Sequence, residues 1–240
     1  MSTPGGKEGA ARRTAAPATL ILIACLLAAL LAAPAALAKS YSMPDVTIDA
    51  TVNEDGSLTV VETRTFDFSG TFHFVYWDLQ TRGAEAVRVQ GVSTPSQQFD
   101  RSDSGAPGTY FVDESPGNVR VQANFELTDT SVPFTLRYVV EGAAKRWSDT
   151  AELYWQFIGD QWSVGVGEAT VTIHLPAGVT KEQVRAWGHG PLNGTVTINP
   201  DATVTLHITD LPPYTFIEAR VLFPADALSA TAPTGGKRLQ

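Results

Sequence analysis

Residues 151–162, AELYWQFIGDQW, set Glu152 and Asp160 among Tyr154, Trp155, Phe157 and Trp162. Paired carboxylates beside stacking aromatics are what cleavage of a glycosidic bond requires, one acid protonating the leaving oxygen and the other serving as nucleophile or base. The spacing argues for something else. In a strand successive side chains face opposite ways, so Leu153, Trp155 and Phe157 form one wholly apolar face while Glu152, Tyr154 and Gln156 form the other. Gly159-Asp160 then turns the chain, and ~3.3 Å per residue separates the two acids by on the order of 25 Å, against about 5–9.5 Å for a working pair. The stretch reads as a core strand, the alternative being an aromatic binding platform built from Tyr154 and Trp162.

The remaining residues with chemical potential are dispersed. His73, His174 and His207 fall in strand-like runs and His189 in a Gly-His-Gly corner, none with a second ligand at metal spacing. The run DRSDSG offers only Asp100, Ser102 and Asp103 locally, where calcium takes six or more oxygens. Asn193-Gly194-Thr195 matches a glycosylation sequon, but Asn-Gly is fully explained as a turn. Neither a nucleophile elbow nor a phosphate loop nor a dinucleotide fingerprint occurs. Cys25 is the single cysteine, so a chain processed beyond it has no disulfide, thiolate nucleophile or cysteine-based zinc site. The reading assigns no catalytic residue, no metal and no cofactor.

The elements that position these residues have period two. From residue 41 to residue 224, about twelve alternating runs are separated by turn signals, the rhythm of an antiparallel sandwich or barrel. Val46, Ile48, Ala50 and Val52 share a face; Asn53-Glu54-Asp55-Gly56 turns the chain; Leu58, Val60, Phe66 and Phe68 share the next face, interrupted by Glu62 and Arg64. Residues 93–110 form the longest polar interval and read as a mobile surface loop. Residues 229–240 are small, polar and unpatterned, as in a disordered tail.

The N-terminus belongs to another regime. Lys7, Arg12 and Arg13 precede an uncharged run, residues 19–38, that ends in Ala36-Leu37-Ala38. Basic, apolar and small-residue regions in that order make a secretory signal, with a run also long enough to stay as a membrane anchor. Leu22-Ile23-Ala24-Cys25 has the form of a lipoprotein box, yet the apolar run continues past it, which fits a cysteine inside the signal. Either way the basic residues stay in the cytoplasm and the remainder is exported. The net charge of −8 gives no electrostatic reason to bind nucleic acid.

Two stretches, VNEDGSLTVVETRTFDFSGTFHFVYWDL and FTLRYVVEGAAKRWSDTAELYWQFIGDQWSVGVGEATVTIHLP, carry a resemblance. The Asp-Gly-Ser-Leu hairpin, the Phe-Ser-Gly-Thr-Phe run, the Tyr-Trp-Gln-Phe-Ile-Gly strand and the late Leu-Pro resemble the extracytoplasmic region of bacterial predicted membrane proteins carrying the domain of unknown function 2207. The resemblance implies a β domain followed by transmembrane helices and a flexible cytoplasmic tail, with no established activity or catalytic residues. After Pro224 this sequence has no apolar run of spanning length, which points to a truncated form or to a secreted or singly anchored relative.

The expectation is an all-β, antiparallel β-sandwich of about twelve strands after an N-terminal hydrophobic signal or anchor helix. Residues 1–38 are the leader, 39–228 the extracytoplasmic domain and 229–240 the tail. Its function would be non-enzymatic binding at the cell envelope, to a protein or a glycan, through Tyr76, Tyr154 and Trp162. A carbohydrate-active enzyme with carboxylates drawn from different strands and a passive spacer or assembly subunit are the alternatives. Membrane contact would come only through the N-terminal segment or a further C-terminal region.

Overall fold

A computed structural model describes residues 39–236 apart from Arg82, and Ser2 and Gly5 besides. The signal or anchor helix expected within residues 1–38 and the last four residues of the tail lie outside the described residues. Among the described residues no helix is long and apolar enough to cross a membrane.

β1 (Ser40–Val52) and β2 (Leu58–Ser69) make the hairpin that Asp55-Gly56 predicts. Gly56 turns at φ 82°, and Asp55 accepts from the Ser57 amide and hydroxyl at 2.9 and 2.7 Å. Val46, Ile48, Ala50 and Val52 are buried, as their alternation requires. A bulge between Ser42 and Asp45 puts Met43, three residues before Val46, into the core as well. β2 runs into β3 (Thr71–Gln80) through Gly70, whose amide donates to Asp129 Oδ1 at 2.6 Å.

After β4 (Ala86–Thr94) the interval expected to be mobile is instead tied down. It holds two short strands, β5 (Gln97–Gln98) and β6 (Asp100–Arg101), and between them Phe99 is buried against Phe134 at 6.0 Å. A single apolar anchor in a polar run carries no period, so composition alone misreads it. There follow β7 (Thr109–Ser115), β8 (Asn118–Thr128), β9 (Ser131–Glu141), β10 (Ala144–Trp147), β11 (Ala151–Ile158) and β12 (Val166–His174). The rest of the chain supplies β13 (Arg185–His189), β14 (Thr195–Ile198), β15 (Val204–Leu211), β16 (Ile217–Phe223) and β17 (Thr234–Gly236). Two single-turn 3-10 helices, Lys181–Gln183 and Ala225–Ala227, are the only helical elements among the described residues.

The architecture is all-β, but its sheets are mixed where antiparallel pairing was expected. An eight-stranded sheet has the order β14-β15-β12-β1-β2-β9-β4-β5, a five-stranded sheet β13-β16-β11-β10-β17, and a four-stranded sheet β3-β8-β7-β6. β1 pairs parallel with β12 from Met43↔Val166 to Thr51↔His174, and β6/β7 and β10/β17 are parallel too. Alternation reveals which face of a strand is buried and is silent on the direction of its neighbour, so this pairing could not be read from periodicity. The antiparallel pair β2/β9 of the large sheet continues as β3/β8 of the small one. The ribbon turns from one sheet to the other where the Phe68 amide donates to Thr130 O at 2.9 Å and the Asp129 amide to Gly70 O at 3.3 Å.

One apolar core joins the three sheets, drawing Ile48 and Phe134 from the first, Leu153 and Val221 from the second, and Trp77 and Val121 from the third. Part of the expected disordered tail belongs to it: Ala232 is buried, and β17 lies beside β10, with the Arg146 amide donating to Pro233 O at 2.7 Å. The Asn193-Gly194 turn forms, yet it joins strands of two different sheets and closes no hairpin.

Candidate functional site

The site begins with the interruption in β2. Every second residue of this strand from Leu58 to Phe68 is buried, Glu62 and Arg64 included, so the two charges stay on the apolar face at i and i+2. Arg64 Nε donates to Glu62 Oε1, and the two side chains are 2% and 1% exposed. The Arg64 guanidinium also lies over the Trp162 ring, 4.4 Å from its centroid, and so holds this loop residue against the core. Beneath them a cavity of about 10 Å³, with room for about one water, is walled in part by Glu62, Trp77 and Trp155. Glu62 Oε2 and both indole Nε1 atoms are buried without a protein partner.

β3 supplies the facing wall. It is an edge strand, paired with β8 on one side only, and its alternation buries Val75, Trp77 and Leu79 while leaving Phe74 and Tyr76 exposed. Asp78 accepts from Arg120 Nε and Nη2, each at 2.8 Å, and from Asn118 Nδ2 at 3.0 Å. The Arg120 hydrogen bond is the main reason that the Asp78 carboxyl is held below the usual carboxylate range. The same guanidinium lies 4.6 Å from the centroid of Tyr76 and fixes that ring.

Between the free edge of β3 and the loop of residues 159–163 runs a cleft with two ends. The apolar end, about 260 Å³, is walled by rings including Phe72, Tyr76 and Trp162. The polar end, about 330 Å³, lies between Gln80, Tyr154, Gln156, Asp160 and Glu218. The ends share Gln161, and the water-sized cavity adjoins both, through Asp78 and Trp162 on one side and Gln80 and Gln156 on the other. Tyr76 and Trp162 therefore border one end and Tyr154 the other. Tyr76 is 40% and Tyr154 51% exposed, whereas Trp162 is half-buried against the core.

The acids sort differently from their order in sequence. Glu152 faces Arg220, which donates to it at 2.6 Å, and it borders neither end of the cleft. Asp160 lies in the loop beyond β11, and its companion is Glu218, set opposite Gln156 by the β11/β16 register. Glu218 Oε1 lies 3.1 Å from His189 Nδ1 and accepts from it in the tautomer that carries the proton there, and the Glu218 carboxylate raises the pKa of the Tyr154 phenol. Sequence reasoning missed Glu218 because it lies 58 residues from Asp160 in the chain; only a known strand register brings the two together.

His174 and His207 likewise meet one carboxylate each, Asp49 and Glu168, both at 3.0 Å. Among the described residues no three or more potential metal ligands gather. Trp155, Leu153 and Phe157 are buried, as the strand reading of residues 151–158 requires.

Comparison with known families finds a match over residues 42–223 to the N-terminal domain described as a predicted membrane protein domain, DUF2207. No curated protein matches. Among solved structures, the chain is similar to an M1 zinc metallopeptidase from Deinococcus radiodurans, at 15% identity and a TM-score of 0.41, over 75% of this chain and 42% of that one. It is also similar to yeast LTA4 hydrolase in complex with bestatin, at 11% identity and a TM-score of 0.48, over 75% of this chain and 28% of that one. The chain thus spans less than half the length of either structure.

Proposed function

The chain belongs to the DUF2207 family of predicted membrane proteins, and from that premise we propose that it is an exported, non-enzymatic binding module working at the cell envelope. The observation that carries this reading is the pair of adjoining concave spaces that meet at Gln161 beside the unpaired edge of β3, where Tyr76 and Trp162 on one side and Tyr154 on the other offer aromatic surface to a partner. Rings held by guanidinium groups lose little freedom when a partner docks on them, which favours binding. The partner is an envelope protein or glycan, and the N-terminal segment presents the domain to it.

The test is retention of the full chain on isolated envelope material. Replacing Tyr76, Tyr154 and Trp162 together by alanine should abolish retention while the far-ultraviolet circular dichroism keeps its β signature. Retention equal to that of the unaltered chain refutes the assignment of the cleft.

One observation favours a second reading, a carbohydrate-active enzyme: Asp160 and Glu218 border the same concave space as Tyr154 and Trp155. Release of reducing ends from an oligosaccharide, lost in both Asp160→Asn and Glu218→Gln, would establish that reading over simple binding.

A further inference from the structure

We infer that the polar end of the cleft is a subsite for a neutral sugar, an inference that rests on the binding reading above and names the ligand class for one part of the cleft. The donor set carries the argument. Gln80, Gln156 and Gln161 supply three amides, Gln161 already donating to Asp160 Oδ1 at 2.8 Å, while Asp160 and Glu218 supply two carboxylates and Tyr154 a half-exposed ring. Each amide can both donate and accept, which matches a sugar hydroxyl, itself both donor and acceptor, and the carboxylates accept from hydroxyls. The Tyr154 ring offers an apolar face for the C–H face of a pyranose, and its T-shaped contact with His189 at 5.8 Å fixes its plane.

The charge balance narrows the class. Among the described residues no lysine or arginine borders this end, and the nearby Arg220 is committed to Glu152 and to the Trp187 ring, 5.6 Å away. An anionic ligand would meet two carboxylates and none of the described lysines or arginines, so an acidic polymer is disfavoured. At about 330 Å³ the space also falls within the range of small-molecule sites.

The test is calorimetric titration of the full chain, held in a non-glycosidic detergent, with cellohexaose, chitohexaose and maltohexaose. Hexagalacturonate and hexalysine serve as the charged comparisons. At least one neutral hexasaccharide should bind saturably, and Tyr154→Ala and Gln156→Ala should each weaken it by about tenfold or more. Lys181→Ala, in the exposed 3-10 turn and bordering neither end of the cleft, should leave that affinity unchanged. The inference is overturned if no neutral hexasaccharide binds, if a charged probe binds in their place, or if Tyr154→Ala has no effect. Should envelope retention still depend on the three aromatics while no sugar binds, only the ligand class falls. Should retention also survive their removal, the binding reading falls with it.

Discussion

Replacing Arg64 by methionine keeps most of its length beneath Trp162 but removes the one positive charge bonded to Glu62 among the described residues, and the Glu62 side chain is 1% exposed. Breaking a buried pair from one side typically costs 3–5 kcal/mol, because the remaining charge is stranded in a low-dielectric interior, so about that loss is expected for Arg64→Met. For a domain of this size each kcal/mol shifts the melting temperature by roughly 2–4 °C, which translates to a fall of about 6–20 °C. Glu62→Leu alone should also destabilise, since it leaves the guanidinium with the Trp162 ring as its principal partner. The double variant has no charge to strand, and it should recover most of the loss, giving a coupling energy of about 3 kcal/mol. Urea denaturation followed by tryptophan fluorescence measures all four corners of this cycle. Additive losses, or an Arg64→Met variant within about 1 kcal/mol of the unaltered chain, would refute the view that these charges are buried and mutually dependent.

Two further perturbations test other parts of the molecule. Because Arg120 lowers the pKa of Asp78 in the folded state, their interaction stabilises the fold above the ordinary carboxylate value and is lost as pH falls through the lowered one. Arg120→Met should therefore be less stable at neutral pH yet lose less as the pH falls below the ordinary carboxylate value, visible as converging urea midpoints. At β17, a Cβ on Gly235 would clash with the Trp147 ring, so Gly235→Ala should push the strand off β10. Overpacking of this kind costs about 1–3 kcal/mol, and faster hydrogen exchange at the Arg146 amide, now bonded to Pro233, reports it.

What could be read from the sequence follows from what period-two patterning encodes. It encodes faces, so Val46 to Val52 and Leu153 to Phe157 are buried where alternation places them. Neighbours leave no such mark, and the parallel β1/β12 pair therefore stayed hidden. Short strands such as β5, β6 and β17 are too brief to establish any period, and their residues were read as loop or tail. Glu62 and Arg64 looked like a defect in an apolar face. The defect positions Trp162, since the guanidinium on the core face of β2 reaches a ring that no pattern in the loop would fix. Of the proposed contact residues, Tyr76 and Tyr154 were legible as outward members of alternating strands, while Glu218 needed a strand register to become visible.

The cleft owes its shape to an irregularity at the end of β11. Gln156 pairs with Glu218 and Ile158 with Ile217, so Phe157 is the extra residue of a bulge. Phe157 and Ile158 are both buried although they are consecutive, which a regular strand facing solvent on one side does not permit. The bulge thereby re-aims the chain: the position of a Cβ on Gly159 would be 3.8 Å from the Asp78 carbonyl, so the loop that follows is drawn alongside β3. It also fixes which acid faces Asp160. Opposed residues of an antiparallel pair share a face, and the register puts Glu218 beside Gln156 on the outer side with Tyr154. A one-residue slip would turn Glu218 inward and Ile217 outward, emptying the polar end of one of its two acids and placing an apolar side chain there. Sheet register, rather than closeness in sequence, decides that this cleft pairs Asp160 with Glu218 and leaves Glu152 to Arg220.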